Sequence, residues 1–101
     1  MHKLTVLYPS SNDPKRFREY YETVHIPLTR KMPGLLRLNY SFGLAAQGEA
    51  SAPFCMFEAW FESGEAMEQA TISDAGQAVL ADVARFADGP PTVFHGPVIE
   101  E

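Results

Sequence analysis

The run Phe54 to Phe61, FCMFEAWF, constrains the fold more than any other stretch of the chain. It is nearly continuous apolar sequence and short for a helix, so it reads as a strand buried on both faces. Phe54, Met56 and Trp60 point one way along it, and Cys55, Phe57, Ala59 and Phe61 point the other. Such a strand belongs inside a sheet, with apolar material against each side.

The neighbouring segments supply the rest of that sheet. His2 to Tyr8 is rich in β-branched and aromatic residues and closes on Pro9 and a Ser-Ser-Asn-Asp turn, which predicts the first strand. Leu35 to Gly43 alternates, with Leu36, Leu38, Tyr40 and Phe42 set against Arg37, Asn39 and Ser41, and predicts the second. Leu44 to Pro53 is small, polar and glycine-bearing, a flexible connection. Helical starts follow at Ser63-Gly64 and Ser73-Asp74, the second leading into a stripe of Val79, Leu80, Val83, Ala84 and Phe86. Asp88-Gly89-Pro90-Pro91 ends that helix, and Thr92 to Ile99, with Gly96-Pro97 as an edge feature or bulge, predicts the fourth strand.

A first helix falls between strands one and two, in DPKRFREYYETVHIPLTRKMPG. Phe17, Tyr20, Tyr21, Val24, Leu28 and Met32 recur at spacings of three and four and predict its buried stripe. Asp13 is placed to cap it, Pro14 fits the first helical position, and Pro33-Gly34 stops it. Pro27 is the anomaly. It removes the backbone bond to the Thr23 carbonyl, so the helix is expected to kink or restart between Val24 and Pro27, beside His25.

The order β-α-β-β-α-β predicts one α+β domain over residues 1–101, with a ferredoxin-like antiparallel sheet. Right-handed crossovers put the first and third strands in the centre and the helices on one face. The other face of FCMFEAWF then needs a cover. A second copy stacked sheet to sheet provides one, which predicts a homodimer; the alternative is a monomer with Leu44–Pro53 folded across that face.

Composition excludes several classes. A net charge of −5 argues against nucleic acid or an anionic membrane as partner. The lone Cys55 forbids an internal disulfide framework and fits a reducing compartment. No run is long enough to span a bilayer and MHKLTVLYPS lacks a signal-peptide layout, so the expectation is a soluble, cytoplasmic protein. There is no glycine-rich phosphate loop, paired-cysteine motif, HExxH or GxSxG, and no cofactor is expected. His2, His25 and His95 have no short ligand spacing, so no metal is expected either. Side chains alone supply no redox centre, so an oxidation here has to be run by the substrate itself or by a partner protein.

Three tracts carry a resemblance: KLTVLYP, FREYYETVHIPLTRKMPGL and EAWFESGEAMEQATISDAGQAVLADVARFADG. With its His-x-Pro-Leu followed by Met-Pro-Gly, the chain resembles the EthD-like members of the dimeric α+β barrel superfamily. The resemblance implies a ferredoxin-like fold, homodimerisation, and a pocket between helix and sheet in each subunit. That family is named for a component of a bacterial ether-degradation system, and similar small barrels include heme-free monooxygenases acting on polyketides and lactone isomerases of aromatic catabolism. Leu44–Pro53 and Val93–Glu101 match least, so pocket selectivity does not carry over.

His25 is the natural acid/base group near neutral pH. Counting helix rise against strand rise places it near Leu38 or Tyr40, which makes Tyr40 a candidate hydroxyl partner and Tyr21, one turn earlier, another. The plainer reading has His25 donating to a carbonyl freed by Pro27. Tyr8, Phe42, Trp60, Phe94 and Leu28 are candidates to line a pocket for a small hydrophobic ligand, or simply core. Glu58 fits a cross-strand pair with Arg37 or Lys3 better than a role beside His25. Three readings remain open: a cofactor-independent oxidoreductase or isomerase acting on an apolar, oxygen-bearing compound, a non-catalytic ligand-binding subunit of an oxidoreductase system, and a purely structural dimer whose pocket is filled by its own side chains.

Overall fold

The computed structural model describes residues 1–48 and 50–101. Glu49, inside the expected Leu44–Pro53 connection, lies outside the described residues. Strand β1 (His2–Tyr8) is followed by helix α1 (Pro14–Tyr20), a π-helical turn (Tyr21–His25) and helix α2 (Ile26–Thr29). Strands β2 (Arg37–Phe42) and β3 (Cys55–Phe61) come next. Helices α3 (Gly64–Ile72) and α4 (Asp74–Asp82), a 3₁₀ turn (Val83–Arg85) and strand β4 (Thr92–Pro97) complete the chain.

The four strands lie in the order β2-β3-β1-β4 and every neighbouring pair is antiparallel. The first and third strands are central, as the sequence order demands. Cross-strand partners share a face, so the register Leu4↔Ala59, Val6↔Phe57 and Tyr8↔Cys55 defines the side turned to the helices. Phe17 is sealed there, in ring contact with Tyr8, Phe54 and Phe86 at 5.4, 4.9 and 5.0 Å.

The outer face differs from what the apolar run suggests. It carries Lys3, Thr5, Leu7, Met56, Glu58 and Trp60. Glu58 bonds Lys3 at 3.0 Å, and the Arg37 guanidinium lies 4.1 Å from the Trp60 ring. Lys3 and Arg37 are the register partners of Trp60 on its two sides, and the indole is only 7 % exposed within one protomer.

The first helix is interrupted where Pro27 requires it, and the form of the break shifts the buried stripe. Asp13 caps the start, its Oδ1 accepting from the Arg16 N–H at 3.2 Å with Pro14 behind it. The Ile26 N–H then bonds the Tyr21 carbonyl, five residues back instead of four. One wide turn accommodates the proline and advances the buried positions by a residue. The expected Val24 and Leu28 therefore leave the core, Val24 being 38 % exposed and Leu28 half-buried, while Ile26 and Thr29 take their places.

At the junction of α3 and α4, the Ser73 hydroxyl donates to the Ala70 carbonyl at 2.6 Å and accepts from the Gly76 N–H at 3.1 Å. That turn is so tight that a Cβ on Gly76 would lie 2.2 Å from the Ala70 oxygen and 2.5 Å from that of Thr71. Backbone atoms cannot move aside as a side chain can, so Gly76→Ala is expected to destabilise the fold by about 1–3 kcal/mol, read from urea unfolding midpoints.

Candidate functional site

Helix α4 spans between α3 and α2 and leaves a hollow between itself and the sheet. The hollow is a cleft of about 740 Å³, within the range of small-molecule sites. Leu4, Val6, Tyr8 and Phe57 form its floor, and Val79, Leu80, Val83 and Ala84 its roof. Of the stripe expected to be core, Phe86 is buried and Val79 and Val83 pack partly against the core, while Leu80 and Ala84 are exposed. Gly89, Pro90 and Pro91, which end the helical region, close one side.

His25 is a wall residue of this cleft and is 2 % exposed. Its Nδ1–H donates to Asp82 Oδ2 at 2.9 Å. The other Asp82 oxygen accepts from the Tyr20 hydroxyl at 2.6 Å, and the Arg85 Nε stands 3.9 Å away on a largely exposed side chain. The π turn explains how one carboxylate reaches both donors. In a regular α-helix Tyr20 and His25, five positions apart, would point about 140° from each other. Across a turn that bonds five residues back they lie on one side of the helix.

The tautomer follows from this pairing. With the proton on Nδ1, the Nε2 lone pair is free. Tyr21 Oη is the one sealed side-chain polar atom without a partner among the described residues. With Nδ1 engaged by Asp82, the His25 ring, itself a wall of the cleft, keeps Nε2 as its remaining acceptor. Burial pushes the imidazole pKa below its ordinary 6.5 and outweighs the Asp82 carboxylate, which pulls it up. The ring is held by Tyr21 stacked at 5.2 Å and Phe86 at 4.6 Å.

The remaining candidates are placed as follows. Tyr8 lines the cleft, and burial raises its phenol pKa. Tyr21 is sealed in the core, its hydroxyl near the Tyr8 hydroxyl and the Cys55 thiol without a well-formed bond to either. Burial raises the Tyr21 phenol further and the Cys55 thiol to about 12. Tyr40 is not the partner of His25. The Tyr21 ring meets both, at 5.2 Å from His25 and 5.6 Å from Tyr40, and the imidazole turns instead toward α4. Phe42 packs on Phe17, Tyr21 and Phe54 outside the cleft, and Leu28 is also absent from its walls. Trp60 and Phe94 lie on the outer sheet face, Phe94 51 % exposed opposite Thr5. His2 and His95 meet at 2.8 Å on the helix side of the sheet edge, apart from His25, and no group of three metal-binding side chains occurs among the described residues.

Asp82, the partner of His25, is the residue of this site that the sequence pattern did not single out. Val79, Asp82, Val83 and Phe86 follow the three-four spacing of one helix face, so a carboxylate on an apolar stripe was the available signal.

The family profile of the EthD domain matches residues 10–90. The chain belongs to the EthD family. An uncharacterized 11.0 kDa protein in the thcB-thcC intergenic region of Rhodococcus erythropolis is 32 % identical over 94 residues, covering 93 % of this chain and 91 % of that one. The crystal structure of an ethyl tert-butyl ether d (EthD) family protein from Bacillus halodurans superposes with a TM-score of 0.89 at 32 % identity, covering 98 % and 99 % of the two chains. A dimeric ferredoxin-like protein of unknown function from Thermobifida fusca shares the fold at a TM-score of 0.71 and 15 % identity, over 96 % of this chain and 90 % of that one. No helix among the described residues of this EthD-family chain is long and apolar enough to cross a membrane.

The state of His25 has a consequence for stability. Burial favours the neutral ring, so the unfolded chain takes up a proton first as pH falls below 6.5. The folded state is therefore expected to lose stability from about pH 6.5 downward, until the buried ring itself protonates, with no contribution above. Urea melts across that range should show this decline in the wild type and a shallower one in His25→Gln; identical slopes would exclude the imidazole as its source.

Proposed function

We propose that this EthD-family protein binds a small apolar, oxygen-bearing organic compound in the cleft beneath α4 and acts on it without a cofactor. The single observation that carries this reading is a carboxylate-oriented imidazole in the wall of an apolar hollow. In the proposed chemistry His25 Nε2 takes a proton from the ligand and becomes imidazolium. The Asp82 carboxylate, already bonded to Nδ1–H, stabilises that charge. Returning the proton to a different atom completes an isomerisation. Alternatively, the deprotonated ligand delivers electrons to dioxygen, which makes the reaction an oxidation. Tyr8 contacts the ligand from the floor, and Tyr21 holds the plane of the imidazole.

The proposed assembly is a homodimer through the outer sheet faces, the arrangement that covers Phe94, Leu7 and Met56. The dimeric protein of Thermobifida fusca supports it by analogy of fold. In sedimentation the wild type should run as a dimer and Phe94→Glu largely as a monomer; a monomeric wild type would remove the assembly.

The catalytic reading is tested on a ligand found by thermal-shift screening. His25→Gln is expected to lower turnover by about two orders of magnitude or more while binding persists. Binding without turnover in the wild type would make this a non-catalytic ligand-binding subunit of an oxidoreductase system. If neither binding nor turnover responds to the substitution, His25 has no part in the function.

A further inference from the structure

The electrostatics of the cleft narrow the class of ligand, an inference that rests on the reading of the site just given. The chain has eight Lys and Arg residues, and none is among the cleft walls in the described residues. Lys3 and Arg37 are committed to Glu58 and Trp60 on the outer face, and Arg18 pairs with Glu22. Arg85, 3.9 Å from the Asp82 carboxylate, is 76 % exposed along its side chain, and Arg30 and Lys31 are exposed as well. The ionisable side chains that do reach the cleft are His25, Tyr8 and Asp88. Asp88 accepts the Asn12 N–H at 2.7 Å through one oxygen, and the Asp82 carboxylate stands directly behind the imidazole.

A carboxylate, phosphate or sulfate entering this space would lose its hydration and find no cation. It would also face the buried Asp82 carboxylate behind the imidazole, while Asp88, exposed at the cleft rim, adds only a solvent-screened charge of the same sign. A neutral molecule escapes both costs. The neutral imidazole then asks for a proton donor opposite Nε2. The hydroxyls of Thr29 and Thr71 are already donated to the Ile26 and Glu68 carbonyls at 2.7 and 2.9 Å. Among the described residues this leaves the Tyr8 hydroxyl as the wall hydroxyl not committed to a carbonyl.

The same scarcity of donors limits what His25 can deprotonate. Apart from the imidazolium it creates, the site offers an anion little beyond Tyr8. The ligand must therefore stabilise its own negative charge. A phenol, near ~10, lies within about four pK units of an imidazole, whereas an alkanol is about as weak an acid as water, at ~15.7.

We infer that the cleft takes a neutral phenol or enol, seated with its acidic hydroxyl donating to His25 Nε2 and its delocalised ring system against the apolar roof and floor.

Three bicyclic probes of equal ring size test this on the wild-type protein near neutral pH: 2-naphthol, 2-methoxynaphthalene and 2-naphthoate. Affinities come from calorimetry, and the His25 ring nitrogens are followed by NMR in ¹⁵N-histidine protein. 2-Naphthol should bind roughly tenfold or more tightly than either of the others and should shift the Nε2 resonance. Naphthoate binding as well as naphthol would overturn the neutral-ligand inference while leaving the cleft as a binding site. The methyl ether matching naphthol would overturn the hydroxyl contact alone. No probe moving the His25 resonances would overturn both this inference and the function on which it rests.

Discussion

Asp82 is a carboxylate held at 6 % exposure, and a carboxylate out of water persists only where donors surround it. Two of those donors, Tyr20 and His25, come from the first helical segment, and the third group, Arg85, is a distant edge contact. The carboxylate thereby fastens the end of α4 to the π turn. Removing either donor would strand part of a buried charge, which ties the position of the cleft roof to the orientation of the imidazole. The geometry of that fastening is possible only because the helix widens for one turn, bringing residues five apart onto one side. Pro27, which cannot donate to a carbonyl behind it, makes a regular helix unfavourable at that point. A local backbone defect thus becomes the means of aiming two side chains at one acceptor.

The roof of the cleft is an element with little of its own to rest on. α4 contacts α2 and α3 more than it contacts the sheet, and its apolar side faces the hollow. Its position is set from its two ends. Gly76 and Ser73 lock the first turn against the end of α3, and Asp82 locks the last turn against the first helical segment. Between those anchors Val79, Leu80 and Val83 keep apolar surface that a filled core would have buried. A helix pinned at both ends is a physical route to a stable cavity, since closing the gap would break one of the pins.

How much of this the sequence disclosed depends on the range of the interaction. The ferredoxin-like order follows from local periods: alternation in Leu35 to Gly43, a doubly apolar run at FCMFEAWF, and the caps at Asp13, Ser63 and Ser73. The break before Pro27 was legible because proline acts on its own turn. Its form was not, because a kink and a π turn satisfy the same missing N–H, yet only the second shifts the buried stripe from Val24 and Leu28 to Ile26 and Thr29. The partner of His25 was beyond local reasoning. Asp82 lies fifty-seven positions away, and which residue meets the imidazole depends on how two helices settle over a sheet. Matching the rise of a straight helix to that of a strand points His25 toward Tyr40, and the ring of Tyr21 stands in that direction instead. On the outer face, the expected cross-strand pair of Glu58 with Lys3 is present, whereas the seating of Lys3 and Arg37 on either side of Trp60 became legible only with the register.

The imidazole sits between two opposing influences, and their balance matters more than either alone. Burial drives it toward the neutral form, while the Asp82 carboxylate favours the cation, and burial prevails. The ring is therefore ready to accept a proton in its resting state, and the carboxylate makes its strongest contribution only after the proton has arrived. An interaction that strengthens as charge develops lowers the barrier to proton transfer more than it tightens the resting complex. The same arrangement accounts for the apolar walls. Water in the cleft would hydrate the ring and screen the dyad, whereas the proposed ligand, filling the space, would exclude water and present a proton to the ring. In the proposed chemistry the hollow under α4 and the pairing of His25 with Asp82 act together, and charged side chains in the cleft walls would oppose both.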